Sequence, residues 1–253
     1  MSEKVCELID VFSLKEKRDV APVADAITSG KITIMRVGSV YSTVFCPTIS
    51  GLMDKTTKLK GRTRGQYMSV VCSYEQAMQV VDKKLVNEDF FRLSPDFCNK
   101  AIIRIPVNQT EKLPFSYNKT AGTLQFLSFE GAHPMRSALK DELFTRGCEY
   151  ISITSGNIHE APTIEDLESA KKLAALFEIK ASFLGMHGIK TVVADIPGDK
   201  SAHKGSYIIL SFCNPDAIEV KRLANKIDRD FTENYLKELF SDIDIKTPLV
   251  FDV

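Results

Sequence analysis

Residues 123–154, TLQFLSFEGAHPMRSALKDELFTRGCEYISIT, hold the succession that decides the fold of this chain. Two apolar runs, 123–129 and 150–154, are rich in the β-branched and aromatic residues that favour strands. Between them a helix is predicted over 134–146, because Pro134 opens the segment and a glycine closes it. A strand, a helix and a second strand in this order indicate an α/β domain with a central twisted sheet.

The same alternation of strands and helices extends along the rest of the chain. A capping box of Ser73 and Gln76 precedes a helix predicted over 77–85, and Thr163 with Asp166 is predicted to cap the next long helix. Further strands are predicted, from their content of Val, Ile, Tyr and Phe, over 31–36, 67–72, 101–107, 190–195 and 207–212.

The C-terminal part of the chain is predicted to be an extension. Asn214 and Pro215 form a helix-cap signal, and the apolar periodicity that follows predicts one long amphipathic helix to about Phe240. The tail TPLVFDV predicts an edge strand. We therefore predict a main domain over 1–212 and a helix-and-strand extension over 213–253 packed on it.

Composition argues against several classes of protein. With 33 Lys and Arg against 33 Asp and Glu, the 253 residues carry no formal net charge, which argues against broad coating of nucleic acid. No long apolar run is present, and MSEKVCELIDV lacks the pattern of a signal peptide, so we expect a cytoplasmic protein. Six scattered cysteines predict buried, reduced thiols, and four histidines without ligand spacing predict no structural zinc.

Local charge is uneven despite that balance. Five cations fall within residues 55–64, where DKTTKLKGRTRG alternates them at Lys58, Lys60, Arg62 and Arg64. In an extended segment side chains at i and i+2 share a face, so Lys60 and Arg62 are predicted to close on one anion. An ammonium and a planar guanidinium together suit a polyphosphate. The alternative is a solvated lysine-rich turn.

Five segments in a fixed order resemble a known family. Within roughly residues 15–212 they are TIMRVGSVYSTVFCP, KLKGRTRGQYMSVVCSYEQ, TLQFLSFEGAHPMRSALKDELFTRG, EYISITSGNIHEAPTIEDL and GIKTVVAD. This succession resembles the YrdC family, which includes the threonylcarbamoyl-adenylate synthases of tRNA modification. The resemblance implies an α/β fold in which a twisted mixed sheet with flanking helices surrounds a concave basic cavity.

The resemblance also implies which residues hold a nucleotide. Lys60 and Arg62 match the Lys-x-Arg pair that holds nucleotide phosphates in the family. Thr154, Ser155 and Asn157 match the Thr-Ser-Ala-Asn stretch, whose hydroxyl and amide groups donate to phosphate or carboxylate oxygens. An ordinary turn is the alternative for that stretch.

Two further matches have a structural alternative. Thr191 matches a threonine of the family's last strand that would face the nucleotide, and a half-buried strand threonine is the simpler interpretation. His133 matches the histidine of the family's His-Pro pair. We interpret it as a helix N-cap or packing residue rather than an acid or a base.

The chain departs from the family pattern at the amino-acid end of the pocket. Where the family carries Pro-Thr-x-Thr, this chain has RVGSVYS over 36–42, so Arg36, Ser39 and Tyr41 are the candidate residues there. The strand before His-Pro, FLSFEGAHP, lacks the arginine that the family brings inward. Arg36 is the candidate to restore that charge from a neighbouring strand.

The resemblance implies a nucleotidyltransferase that makes a carbamoyl adenylate from ATP, bicarbonate and an amino acid, with threonine as the first candidate. Mg²⁺ would arrive bound to ATP, and neither a metal ligand from protein side chains nor a catalytic nucleophile is expected. Two alternatives stay open. One is a module that binds a nucleotide or double-stranded RNA without turnover, and the other is a paralogue that acts on another small molecule.

Overall fold

The structure, a computed structural model, describes residues 9–62, 68–108, 121–158, 161–199, 207–222 and 229–251, with side chains from 233 onward in the last segment. Arg64 and the start of the strand predicted over 67–72 lie outside the described residues. The described elements, in chain order, are β1 (Asp10–Ser13), α1 (Val20–Thr28), β2 (Ile32–Val37), β3 (Val40–Phe45), α2 (Leu52–Leu59), β4 (Ser69–Val71), α3 (Tyr74–Val80), β5 (Ile102–Pro106), β6 (Thr123–Leu127), α4 (Pro134–Thr145), β7 (Ile151–Ser155), α5 (Leu167–Phe183), β8 (Thr191–Asp195), β9 (Ile209–Asn214), β10 (Ala217–Arg222), α6 (Arg229–Leu239) and β11 (Leu249–Phe251).

The chain divides into two compact units, of which the first contains Met1–Gln66 and His133–Ser201. Its sheet has the order β1-β8-β2-β3-β7. β1 and β2 each pair in parallel with β8, whereas β3 pairs antiparallel with β2 and with β7. Helix α1 packs on α4 and helix α2 on α5, and both α1 and α5 contact β2. Every residue of β3 is buried, as expected for a strand inside a covered sheet.

The second unit contains Tyr67–Ala132 and Ala202–Val253. Its sheet has the order β4-β6-β5-β9-β10-β11. Parallel pairs (β4 with β6, β5 with β9, β10 with β11) alternate with antiparallel pairs (β5 with β6, β9 with β10). The predicted α/β class with mixed sheets and helices is therefore confirmed.

Several local signals of the sequence have the predicted structure. Ser73 Oγ accepts a hydrogen bond from the Gln76 N–H at 3.1 Å, and Gln76 Oε1 accepts one from the Ser73 N–H at 2.8 Å, so the capping box is present. His133 Nδ1 accepts a bond from the Met135 N–H at 3.3 Å, which confirms the N-cap interpretation. The predicted edge strand is β11, which pairs with β10.

The prediction of one long helix after Asn214 is wrong. β9 continues through Asn214 and β10 returns antiparallel to it, so a hairpin occupies the start of the predicted helix. Asn214 Oδ1 accepts a hydrogen bond from the Asp216 N–H at 3.0 Å, which closes an Asx turn. An Asn-Pro pair serves a turn as well as a helix cap, and here the alternation of buried residues in β10 favours the strand. A shorter helix, α6, begins at Arg229.

Two boundaries also differ from expectation. Helix α5 begins at Leu167 with Asp166 as its N-cap, whose Oδ1 accepts a hydrogen bond from the Ser169 N–H at 2.8 Å, so Thr163 is not the cap. The domain boundary predicted after residue 212 falls inside β9.

No helix in the described part of the chain is long and apolar enough to span a membrane. The cysteines in the described part of the chain are free thiols rather than disulfides, and the buried ones are Cys46, Cys72, Cys98 and Cys148.

Candidate functional site

The cationic run leaves α2 through a helix-ending turn rather than along a strand. Lys60 is the C-cap of α2, and Gly61 follows with a φ of +70°. The N–H groups of Gly61 and Arg62 donate, at 3.1 Å each, to the carbonyl oxygens of Lys58 and Thr57. These bonds form a Schellman motif, in which a left-handed glycine ends a helix. The extended alternation predicted for this run is therefore wrong where the structure describes it.

The turn nevertheless brings Lys60 and Arg62 to the predicted partner segment. Lys60 Nζ donates to the backbone carbonyl oxygens of Ser155 and Asn157, where β7 ends. Arg62 Nη2 donates to Ser155 Oγ at 3.2 Å. The Lys-x-Arg pair therefore lies beside the hydroxyl-amide turn, as predicted. The contacting residues Lys60 and Ser155 are 95 positions apart in the sequence.

Lys60 is buried without an acidic partner among the described residues. It is 0% exposed, and its described partners are carbonyl oxygens. Burial and, to a lesser extent, the positive charge of Arg62 lower the pKa of Lys60 to about 6. At pH 7 the amine is therefore mostly neutral, with two N–H groups for two carbonyls. Protonation adds a third donor, which an entering anion would accept.

Arg62 supplies the permanent charge of this pair. Burial lowers the pKa of Arg62, yet a guanidinium stays protonated at neutral pH. A permanently charged guanidinium and a lysine amine that can gain a proton thus meet at one turn. A phosphate placed there would meet both a guanidinium fork and an ammonium.

The turn after β7 requires Gly156. Its N–H donates to the Tyr41 carbonyl oxygen of β3 at 2.8 Å. A Cβ at this position would lie 2.2 Å from the same oxygen, so an alanine, which the family carries at the matching position, does not fit unless the backbone shifts. The glycine therefore lets the turn lie directly against β3.

The other members of the predicted turn have structural partners. Thr154 is buried in β7 opposite Thr43 of β3. Asn157 Nδ2 donates to the Ala161 carbonyl oxygen. The Asn157 side chain closes the turn while its backbone oxygen accepts from Lys60.

Thr191 faces a helix. Its Oγ1 donates to the Ala174 carbonyl oxygen at 3.0 Å and lies 3.1 Å from Glu178 Oε1, both in α5. The Thr191 N–H also donates to Glu178 Oε1 at 2.7 Å. These bonds favour the interpretation of Thr191 as a strand threonine that ties β8 to α5.

Arg36, Tyr41 and Asp195 form a closed cluster at the ends of β2, β3 and β8. Arg36 Nε and the Tyr41 hydroxyl both donate to Asp195 Oδ1, at 2.7 and 2.6 Å. The Arg36 guanidinium also lies 4.7 Å from the centre of the Tyr41 ring. Burial and the hydrogen bond to Asp195 raise the pKa of Tyr41. The charge of Arg36 is balanced inside the protein by Asp195.

This placement corrects one expectation about Arg36. The strand before His-Pro is β6, whose sheet neighbours are β4 and β5. Arg36 belongs to β2, whose neighbours are β8 and β3. Arg36 therefore does not restore the missing strand arginine from a neighbouring strand.

Ser39 lies in a two-residue hairpin between β2 and β3, next to Gly38 with a φ of +65°. The Gly38 N–H donates to Asp199 Oδ2 at 2.9 Å. Arg136 of α4 donates through Nη2 to Asp199 Oδ1 at 3.1 Å, and its Nε lies 3.0 Å from Oδ2. Sequence reasoning missed this buried ion pair because its members are 63 residues apart and belong to no motif.

Comparisons with known proteins rest on structure alone. No family model matches the sequence, and no curated protein sequence is a significant match. Two structures of Sua5 from P. abyssi, the second in complex with L-threonine, match with TM-scores of 0.64 and 0.62 at 14% and 16% identity, over 96% and 94% of this chain. The match spans 62% of the Sua5 chain in both cases, less than two thirds of that protein.

Two other solved proteins have the same arrangement. E. coli YciO matches with a TM-score of 0.58 at 12% identity, over 85% of this chain and 95% of that one. Full-length HypF, in its phosphate- and nucleotide-bound form, matches with a TM-score of 0.56 at 18% identity, over 76% of this chain and 27% of that one. At these identities the likeness is one of fold. The chain therefore has a YrdC-like fold, of which it is a divergent example.

Proposed function

We propose that this protein binds ATP through Lys60 and Arg62 and forms a carbamoyl adenylate from ATP, bicarbonate and an amino acid. The observation that carries the proposal is the contact of both cations with the turn at Ser155 and Asn157. The end of α2 and the end of β7, which are distant in sequence, thus lie together, and the side chains of Lys60 and Arg62 lie beside the Ser155 hydroxyl. Charge-assisted bonds from such groups are the strongest that a protein offers to phosphate.

The described surroundings of Lys60 give the phosphate a specific role. In the free protein the buried amine is mostly neutral, because its pKa is lowered to about 6. A phosphate oxygen at hydrogen-bond distance would stabilise the ammonium and raise that pKa. Lys60 would then gain most of its charge when the anion binds.

The reaction needs positioned charge more than covalent help from the protein. The amine of the amino acid adds to bicarbonate with loss of water and gives a carbamate. A carbamate oxygen attacks the α-phosphorus of ATP, the bond to the β-phosphate oxygen breaks, and pyrophosphate leaves with that electron pair. Arg62 and protonated Lys60 would neutralise the charge that develops on phosphate oxygens, and exclusion of water would protect the carbamate.

Mg²⁺ would enter with ATP and take phosphate oxygens as ligands. Among the residues that the structure describes, no group of three or more His, Cys, Asp or Glu is placed to hold a metal. Asp195, the carboxylate of the strand-end cluster, already accepts hydrogen bonds from Arg36 and Tyr41.

Two structural relatives support the choice of substrates. One Sua5 structure is a complex with L-threonine, and the HypF structure holds phosphate and nucleotide. Threonine is therefore the first amino acid to test. Arg36, Ser39 and Tyr41 stand at the proposed amino-acid end, where the charge of Arg36 is matched by Asp195. A zwitterionic amino acid could replace each partner of that ion pair, because its carboxylate can pair with Arg36 and its ammonium with Asp195.

The direct test is release of pyrophosphate from ATP in the presence of bicarbonate and each of a panel of amino acids. We expect release that depends on both bicarbonate and one amino acid, with threonine foremost. Release with a different amine only would identify a paralogue of other specificity. Tight binding of double-stranded RNA without any release would contradict the enzyme and favour a binding module.

Arg62→Ala tests the phosphate contact separately. Loss of a charge-assisted bond should weaken ATP binding by about 1.5 to 3 kcal/mol, measured by calorimetric titration at low salt. Lys58→Ala is the matched control, because Lys58 lies in the same cationic run but is exposed on α2. Equal ATP affinity in Arg62→Ala and Lys58→Ala would remove Arg62 from the site.

A further inference from the structure

Two cysteines of the first unit, distant in sequence, are hydrogen-bonded neighbours in the structure. Cys46 follows the last residue of β3, and Cys148 lies shortly before β7. The Cys148 Sγ is 3.1 Å from the Cys46 Sγ, and the two residues are 4% and 3% exposed. A disulfide bond is about 2.05 Å long, so these sulfurs are only about 1 Å farther apart than in a covalent bond.

Secondary structure fixes the backbone on both sides of this contact. Gly147, with a φ of +78°, ends helix α4, and the Cys148 N–H donates to the Leu143 carbonyl oxygen at 2.9 Å. This turn is a Schellman motif, like the one that ends α2. Cys46 follows a strand that pairs with β2 on one edge and with β7 on the other. The short distance between the sulfurs therefore follows from where a strand and a helix end.

The hydrogen bonds around the two sulfurs make Cys46 the more acidic thiol. Donation from the Cys148 thiol lowers the pKa of Cys46, burial opposes this shift, and contacts with Thr48 and Ile49 lower the pKa further. The Thr48 Oγ1 lies 3.0 Å from the Cys46 Sγ. The pKa of Cys148 is raised, because its thiol donates to Cys46 and is buried. Its sulfur also lies 3.3 Å from the Tyr150 carbonyl oxygen, a second acceptor for the same proton.

Two buried cysteines of the second unit provide a comparison. Burial raises the pKa of both Cys72 and Cys98, so both thiols stay protonated at neutral pH. The thiolate is the reactive form of cysteine, and a buried protonated thiol is therefore a poor nucleophile. Any reaction that requires a thiolate should thus distinguish Cys46 from these two residues.

We propose that Cys46 and Cys148 form a redox-active pair that a small peroxide converts to a disulfide. The Cys46 thiolate attacks one oxygen of hydrogen peroxide, the O–O bond breaks, and the departing hydroxide takes a proton and becomes water. Cys46 is then a sulfenic acid. The Cys148 sulfur attacks the Cys46 sulfur, the S–O bond breaks, and the hydroxyl group leaves with the Cys148 proton as a second water. Two thiols are oxidised, and one peroxide is reduced to two waters.

The disulfide would join the end of β3 to the end of α4. Because Cys46 and Cys148 are 102 positions apart, the bond would close a long loop in the unfolded chain and should stabilise the native protein. Ser155 pairs with Ser42 near the start of β3, whereas Cys46 follows its end. The redox pair is therefore separate from the proposed ATP site, and its test does not depend on that proposal.

The test is oxidation of the full chain by hydrogen peroxide after reduction and removal of the reductant. Remaining thiols are alkylated in denaturant, and the peptides are identified by mass spectrometry. We expect a cross-link between Cys46 and Cys148 that dithiothreitol reverses and that forms about tenfold or more faster than Cys72 and Cys98 are oxidised. Recovery of Cys46 and Cys148 as alkylated, free thiols would overturn the proposal.

Single variants test the order of the two steps. Cys148→Ser should stop at the sulfenic acid of Cys46, which dimedone traps, and Cys46→Ser should leave Cys148 as a free thiol. Cys213→Ser is the control, because Cys213 is a partly exposed thiol of the second unit, and it should leave the cross-link unchanged. Trapping at Cys148 in Cys46→Ser, without trapping at Cys46 in Cys148→Ser, would contradict the role of Cys46 as the attacking thiolate. Thermal unfolding of each variant monitors the fold.

Unfolding of the oxidised and reduced wild-type protein in urea completes the test. We expect the oxidised protein to unfold at the higher urea concentration, because the cross-link restricts the unfolded chain. A lower midpoint for the oxidised protein would show that the bond distorts the native structure, and would overturn the proposal that the two thiols are already placed to form it.

Discussion

Two buried cations of the first unit, Arg136 and Lys60, are stabilised in opposite ways. Arg136 is 4% exposed and faces the carboxylate of Asp199, which is 2% exposed. Lys60 is 0% exposed and donates to two backbone carbonyl oxygens. In the first arrangement both groups stay charged, and their opposite charges cancel. The second removes the charge, since the pKa of Lys60 falls to about 6.

The difference separates a structural ion pair from the site that we propose receives an anion. Asp199 also accepts the Gly38 N–H, so the pair fixes the hairpin at Ser39 to α4. Lys60 has a latent charge that an anion would recover, at the turn where Arg62 contributes a permanent one.

The largest effect is expected from Asp199→Asn. It leaves the Arg136 guanidinium buried without its carboxylate, which should lower the free energy of unfolding by about 3 to 5 kcal/mol. Chemical denaturation at pH 7 measures the loss. Asp25→Asn is the control, because Asp25 pairs with Arg146 on the surface of the same unit and its removal should cost little. Similar losses in both variants would mean that burial of the ion pair of Arg136 and Asp199 does not increase its contribution to the free energy of unfolding.

A smaller effect with a distinct pH dependence is expected from Lys60→Met. In wild type the native pKa is about 6 and the reference value is 10.5, so between these values the unfolded chain binds a proton that the native protein does not. Stability therefore rises with pH in that window. From pH 7 to 9 this contribution is at most about 2 to 3 kcal/mol, at about 1.4 kcal/mol per pH unit.

Lys60→Met lacks this contribution, and the exposed Lys58→Met keeps it. The difference between the two variants in unfolding free energy, measured by denaturant titration at pH 7 and pH 9, isolates the titration of Lys60. An identical rise with pH in both variants would show that the Lys60 ammonium is charged in the native protein.

The smallest effect is expected from Tyr41→Phe. The phenol donates to a carboxylate that also pairs with Arg36, and loss of a hydrogen bond to a charged group should cost about 1.5 kcal/mol of stability. Tyr74→Phe, whose hydroxyl donates to the neutral Phe90 carbonyl at 3.3 Å, should cost less. Equal costs in thermal or chemical unfolding would indicate that Asp195 is well solvated.

The sequence predicts much of this fold and the meeting of Lys60 with Ser155, but for a partly mistaken reason. The alternation of cations predicts an extended segment, whereas in the structure Gly61 ends a helix and turns Arg62 toward β7. A Lys-Gly pair after a helical run is the signal that could have indicated this turn.

Contacts between residues far apart in the sequence cannot be predicted from local sequence patterns. Nothing near Arg136 marks Asp199 as its partner, and the register that aligns Arg104 with Gln125 arises only when β5 and β6 pair. An Asn-Pro pair occurs at helix caps and at turns, so it does not distinguish the hairpin after Asn214 from the start of a helix. There the tertiary pairing of β10 with β9 decides the outcome.

The most direct measurement is proton exchange on binding of MgATP at pH 8, obtained by calorimetric titration in buffers of different ionisation enthalpy. If Lys60 is neutral in the free protein and charged beside phosphate, wild type takes up about one proton per ATP bound and Lys60→Met takes up none. Binding of ATP without proton uptake in wild type, or with the same uptake in Lys60→Met, would contradict the assignment of Lys60 as the latent phosphate-binding cation.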